Sequence, residues 1–163
     1  MHRLRAPKAI AFFIAVIALT LIDGALKRGI RLCPVGTVLW RHPLLEIVRV
    51  QNMGAAFGIF SKHPQMLTLL SGVLIAGMGV ACIRLLLRRA EGFLLGGLAL
   101  LLSGAIGNWM DRLGDGMVED YLRLPWLSFP VFNMADLCIT TGCFVLIFAS
   151  FCMQEGENND AAS

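Results

Sequence analysis

Two aspartates lie 16 positions apart beside apolar stretches: Asp120 in Gly116-Met117-Val118-Glu119-Asp120-Tyr121 and Asp136 in Phe132-Asn133-Met134-Ala135-Asp136. A carboxylate in an apolar setting is costly and is read there as functional by default. Two close carboxylates cannot both ionise cheaply, so they share a proton and titrate as a pair. Such a pair can act on one substrate from both sides. The ionised member takes a proton from water, and the protonated member hydrogen-bonds to a carbonyl oxygen. The rest of the chain must then bring the two together.

The 163-residue chain is 57% apolar and only 15% charged, with a net charge of +3. Four stretches are long and poor in charge: residues 9–26, interrupted by Asp23, then 66–83, 92–110 and 134–153, interrupted by Asp136. About 20 apolar residues cross the hydrocarbon core as a helix, so each reads as a span. The first could instead be a cleaved signal peptide, because basic residues precede it. No small-x-small cleavage site follows Ile22, which favours an uncleaved span. The expectation is an all-α polytopic membrane protein with four transmembrane helices and a small β-containing extracytoplasmic segment between the first two. Residues 1–163 form a single membrane domain in this reading. The short basic flanks at residues 1–8 and 84–91 place both termini in the cytoplasm. No basic stripe points to nucleic acid.

Five cysteines include no C-x-x-C pair and read as buried, inert thiols. Residues 27–65 are too polar to span. Within them, Leu44-Leu45-Glu46-Ile47-Val48-Arg49-Val50-Gln51 is rich in β-branched residues and reads as one or two strands of a small sheet. These strands are expected to cradle a peptide, and residues 52–60 to gate the site. The polar tail, residues 154–163, is expected to be disordered. Ala99, Ser103 and Gly107 recur at i, i+4, i+8, as do Gly72 and Ala76 at i, i+4, which signals close helix packing.

Four crossings impose a parity. The end of span one, the start of span two, the end of span three and the start of span four share one side of the membrane. The unusual polar residues fall at those ends: Asp23 and Lys27; Asn52 with Gly54 and Gly58; Asn108, Asp111, Arg112 and Asp120; Asn133 and Asp136. Each also has a plain reading. Asp23 and Lys27 are spaced to pair along one helix face, the favoured reading for them. Asn52 to Gly58 reads alone as a turn. Arg112 could snorkel toward head groups or neutralise a carboxylate. Asn133 and Asp136 have the spacing of a capping box. Asp120 has only the reading of a solvated loop acid. One site at one leaflet accounts for all of them together.

Four motifs in register resemble those of the bacterial lipoprotein signal peptidases (signal peptidase II). They are Asn52-Met53-Gly54-Ala55-Ala56-Phe57-Gly58; Gly104-Ala105-Ile106-Gly107-Asn108-Trp109-Met110-Asp111-Arg112; Val118-Glu119-Asp120-Tyr121; and Phe132-Asn133-Met134-Ala135-Asp136. Asp23 and Lys27 at the end of the first span also fit and read as structural. Glu119 stands where many members have Val, and Tyr121 where Phe is usual. The resemblance covers nearly the whole chain. It implies an intramembrane aspartic endopeptidase of the bacterial inner membrane that cleaves diacylglyceryl-modified prolipoproteins before the lipidated cysteine. It assigns Asp120 and Asp136 as the catalytic dyad. Asn52, Gly54, Asn108, Arg112, Asn133 and Ala135 hold the dyad and the substrate backbone. No metal or organic cofactor is implied. The partners implied are the lipid-modified prolipoprotein, membrane lipids and globomycin-type inhibitors.

Three other classes were weighed. A proton-coupled transporter would place such residues near the midplane, with broken helices or an internal repeat, and neither is visible. A structural protein needs no paired carboxylates. A phospholipid-modifying enzyme lacks a His-based site here, since His2, His42 and His63 are scattered.

Overall fold

The computed structural model describes residues 6–54, 63–87 and 92–161, with side chains described up to Cys152. Its elements are α1 (Ala6–Arg31), β1 (Val38–Arg41), β2 (Glu46–Asn52), α2 (Pro64–Leu87), α3 (Gly92–Asp115), β3 (Val118–Arg123) and α4 (Met134–Ala161). All four helices are long and apolar enough to cross a membrane. The expected fold class is therefore observed: four helices and a small sheet. The expected gate, residues 52–60, lies outside the described residues beyond Gly54.

Local chemistry sets the helix ends. Pro7 and Pro64 sit in first turns, where a missing N–H costs nothing. At the end of α3, Gly116 adopts a φ of 72° and its N–H closes on the Arg112 carbonyl at 3.1 Å. Only glycine takes that left-handed position without strain. The polar tail continues α4 as helix to Ala161 rather than being disordered. A helix already nucleated in an apolar span propagates at little cost.

α3 is the central helix, packed on α1, α2 and α4. The small residues divide between its faces. Ala99 joins Phe12, Val16, Cys82, Leu95, Leu98 and Leu102 in an apolar core at the end of the bundle remote from Asp23 and Asn108. Gly107 lies against Asp23, and Thr20 donates to the Ser103 carbonyl at 3.4 Å, so this face seats α1. A second face seats α4. A Cβ on Gly104 would land on the Ala135 carbonyl oxygen, and one on Gly142 would come within 2.7 Å of the Gly97 carbonyl oxygen and the Leu101 nitrogen. The outer faces expose large apolar side chains, among them Ile14, Leu21, Leu69, Phe144 and Phe148. That belongs to helices solvated by lipid.

The sheet has the order β1-β2-β3, all antiparallel. Two strands come from the segment between α1 and α2, as expected. The third is not among the expected strands: β3 follows α3 and carries Asp120, so the plain alternative of a solvated loop acid does not hold. Val50 pairs with Asp120 and Asn52 with Val118. The first four residues of β3 are buried, because its other side faces the helices. Phe132 then extends the pairing, exchanging backbone hydrogen bonds with Leu122 at 2.7 and 3.0 Å. That pairing carries the chain back beneath β3 and starts α4 there. Of the cysteines, Cys82 and Cys138 are buried as read, Cys33 is half-buried, and Cys143 and Cys152 are exposed; all five are free.

The α3–α4 crossing generates a prediction. Gly104→Ala should destabilise the protein by at least about 2 kcal/mol, because an added methyl has no room. Gly77→Ala meets nothing within 4 Å and should stabilise by up to about 1 kcal/mol through helix propensity. Thermal unfolding of the two variants in detergent makes the comparison.

Candidate active site

The parity reading puts the polar helix ends together, and the structure joins them through hydrogen bonds. Lys27, one turn after Asp23 on α1, is the root. Its ammonium reaches Asp23 Oδ2, Asp111 Oδ2 and Asn108 Oδ1, each at 2.8 Å. The contact to Asn108 is a hydrogen bond and the two to the carboxylates are ion pairs, and Lys27 is only 1% exposed. Asp23 turns its other oxygen to the Ala135 N–H at 3.1 Å, holding the first turn of α4.

Three asparagines relay this frame to the carboxylates, and the orientation of each amide is forced. An ammonium only donates, so Asn108 must present Oδ1 to Lys27. Its Nδ2 then faces Asp136 Oδ1 at 2.7 Å. Asn52 accepts the Gly54 N–H on Oδ1 at 2.9 Å, which turns Nδ2 to Asp120 Oδ2 at 2.9 Å. Asn133 accepts the Asp136 N–H on Oδ1 at 2.9 Å, which turns Nδ2 to Asp120 Oδ1 at 2.7 Å. The Asn133 N–H donates in return to Asp136 Oδ2 at 3.1 Å. This is the capping box expected from the spacing, and it coexists with a place in the site.

Both carboxylates open onto one cavity of about 520 Å³. Asn52, Gly54, Asn108 and Arg112 complete its polar lining. Leu124, Leu127, Phe129, Phe132, Leu137 and Ile139 supply apolar lining. Arg112 donates to the Gly54 carbonyl at 3.1 Å and to the Asn108 carbonyl at 3.4 Å. It forms no ion pair with either aspartate among the described residues. Asn133 and Ala135 do not line the cavity. Asn133 lies fully buried beneath it, and Ala135 acts through its backbone, seated on α3 where Gly104 leaves room. Among the described residues, no group of three or more His, Cys, Asp or Glu side chains could hold a metal ion.

Burial pushes the Asp120 carboxyl up to about 7; the Asn52 and Asn133 hydrogen bonds oppose this and the Asp136 charge adds to it. Tyr121 is pushed up to about 12 by burial, so its phenol stays neutral and accepts the Met134 N–H at 3.2 Å.

Some residues of this frame carried no sequence signal of their own. Glu119 was a departure without a role, and Arg31 and Arg49 were only counted as basic. Glu119 is buried, although burial opposes its charge. Hydrogen bonds from Arg49 and Gln51 and the charges of Arg49 and Arg31 hold its carboxyl below the usual range. The signal available was alternation: Arg49 and Gln51 lie on one face of β2, and Gln51 is the cross-strand partner of Glu119.

Comparisons with known proteins give the family and the fold. The sequence pattern of Signal peptidase (SPase) II matches residues 14–152. The chain belongs to the signal peptidase II family. It is 33% identical over 139 residues to the lipoprotein signal peptidase of Pelotomaculum thermopropionicum, covering 84% of this chain and 89% of that one. It is 35% identical over 147 residues to that of Dehalococcoides mccartyi, covering 86% and 88%. A solved structure described as a bacterial membrane enzyme, obtained by the in meso method, superposes with a TM-score of 0.79 at 25% identity, covering 90% of each chain. A second so described gives 0.72 at 26% identity, covering 85% of this chain and 91% of that one. As a signal peptidase II, the protein is a multi-pass inner-membrane hydrolase that removes signal peptides from prolipoproteins.

The position of Asp120 sets a sign for stability. Its folded pKa lies above the ordinary aspartate value of 3.8. Its contribution is therefore fully present below that value and is lost as pH rises through about 7. Asp120→Asn removes this loss. The melting temperature of the variant minus that of the wild type should rise between about pH 4 and pH 8 and level off above, measured in detergent. A flat difference would mean Asp120 is ionised throughout.

Proposed function

We propose that the protein is an aspartic endopeptidase in which Asp120 and Asp136 act together on a water molecule and one peptide bond. Its substrate is a prolipoprotein whose cysteine already carries diacylglycerol, and the bond cleaved is the one before that cysteine. The observation that supports this most is the shared cavity, lined both by the two carboxylates and by apolar side chains. The polar lining suits an extended peptide, and the apolar lining suits the lipid beside it.

In this reading Asp136 starts ionised. It accepts two N–H donors, from Asn108 and from the Asn133 backbone, at the first turn of α4, where the helix dipole favours an anion. Asp120 starts protonated. Asp136 takes a proton from water as the water oxygen bonds to the scissile carbonyl carbon, and Asp120 hydrogen-bonds to the carbonyl oxygen. As the C–N bond breaks, a carboxyl proton passes to the leaving amine and the pair is restored with one proton. Asn108 and Asn133 orient the carboxylates, and Asn52 holds Asp120. Arg112, fixed by the Gly54 and Asn108 carbonyls, presents its remaining donors to substrate backbone. The reaction needs no metal or organic cofactor. Both termini are cytoplasmic and the cavity lies toward the extracytoplasmic leaflet, because the basic flanks 1–8 and 84–91 fall on the other side.

The test is cleavage of a lipidated prolipoprotein by purified protein in detergent, with an unlipidated substrate alongside. Asp120→Asn and Asp136→Asn should each lower kcat by at least about 100-fold. Wild-type activity should decline as pH rises through about 7, where Asp120 loses its proton. Cleavage surviving either variant would break the dyad. If titration of the separate variants shows Asp136 keeping its proton to higher pH than Asp120, the roles are reversed.

A further inference from the structure

Six charged residues run in alternating sign from α1 to the sheet: Asp23, Lys27, Asp111, Arg31, Glu119 and Arg49. The successive contacts are 2.8, 2.8, 2.9, 3.5 and 2.8 Å. Three acids balance three bases. The proposed chemistry uses none of them directly. Asp23, Lys27 and Arg31 are on α1, Asp111 is on α3, Arg49 is on β2, and Glu119 alone is on β3.

Glu119 takes a paired contact from Arg49, Nε at 3.1 Å and Nη2 at 2.8 Å, with Gln51 adding a third donor at 3.1 Å. The remaining Arg49 nitrogen, Nη1, donates to the Arg31 carbonyl at 2.9 Å and to the Cys33 carbonyl. Those carbonyls close the C-terminal end of α1, where helix oxygens lack partners. A planar guanidinium bonded on both edges is a rigid link. It joins the end of α1 to β2 and, through Glu119, to β3. Successive side chains of a strand point to opposite faces, so Glu119 faces this link while its neighbour Asp120 faces Asn52 and Asn133.

We propose that Glu119 is a positioning residue, the latch that fixes the sheet bearing Asp120 against the helices bearing Asp136. This rests on the dyad reading. With Glu119 removed, β3 keeps its ladder to β2 but loses its side-chain tie to α1. Asp120 then moves relative to Asp136, and a misplacement of about 1 Å is enough to cost about 100-fold in rate.

The test separates positioning from the cost of a buried unpaired charge. Glu119→Val retains a strand-forming residue but leaves Arg49 unpaired. Arg49→Leu/Glu119→Val removes both charges, which restores stability where a buried pair is replaced by apolar groups. Each protein is assayed for kcat and melting temperature. Each also carries spin labels at Leu39→Cys on β1 and Leu113→Cys on α3, both exposed, with the native cysteines replaced by alanine. The expected result is a broadened label-to-label distance distribution and a kcat loss of about 100-fold in Glu119→Val. In the double variant the melting temperature recovers and kcat does not. A narrow distribution with unchanged kcat, or kcat recovering together with melting temperature, overturns the latch. Should Glu119→Val fail to fold, Glu119→Gln carries the same readouts and the same outcomes decide. Asp120→Asn is run alongside. If it cleaves normally the dyad reading falls, while the distance measurement still decides whether Glu119 holds the sheet.

Discussion

Asn133 has no exposed surface, and its polar atoms lie between the two aspartates. Its side-chain oxygen caps the first turn of α4 through the Asp136 N–H, and its side-chain nitrogen reaches Asp120 on the sheet. Its own backbone N–H returns to the Asp136 carboxylate. One amide therefore caps α4, turns Asp136 and ties Asp120 to the same point. The antiparallel pairing of Phe132 with Leu122 delivers Asn133 to that point. The sheet is needed to seat one residue as much as to shape a surface.

Lipid imposes the next constraint. Polar groups inside a bundle of spanning helices have no water to fall back on, so each must be matched within the protein. The charges accordingly occur in alternation rather than scattered, and Lys27 is ion-paired to two carboxylates and hydrogen-bonded to one amide. Gly107 belongs to the same solution, since a side chain there would collide with Asp23. The apolar half of the bundle, around Phe12, Cys82 and Leu98, holds none of these charges. The molecule thus separates a lipid-like end, packed by shape, from a polar end, packed by hydrogen bonds.

This separation explains what the sequence makes legible. Apolar length reveals the spans, and crossing parity gathers Asp23, Asn52, Asn108, Asn133 and Asp136 at one end, because both are counting arguments. Asp120 falls at the same end by parity, but nothing local in the sequence marks the strand that carries it. Six residues of β3 with three charged side chains show no strand alternation, since the first four are buried and the acids are matched by residues distant in sequence. Glu119 is the clearest case: its partners Arg49 and Gln51 lie about 70 positions earlier. Pairings over such separations leave no local pattern. The helical continuation of α4 was missed for a different reason, because composition reports what a segment would do alone and not what an attached helix propagates.

The way the carboxylates are held also bears on what they can do. Among the described residues, neither Asp120 nor Asp136 is in an ion pair, although Lys27 and Arg112 lie close by. A cation in direct contact would keep its carboxylate ionised and leave the pair without its shared proton. An amide N–H fixes a carboxylate in place without neutralising it. Lys27 acts on Asp136 through Asn108, and Arg112 is bound to two backbone carbonyls. The cations thus set geometry and local field from one residue away. Asp120, buried and held by amides, remains able to carry a proton near neutrality. An arrangement meant only for stability would place the arginine on the aspartate, as it does at Glu119. The contrast between those adjacent residues, one ion-paired and one held by amides, separates a structural carboxylate from the one proposed to react.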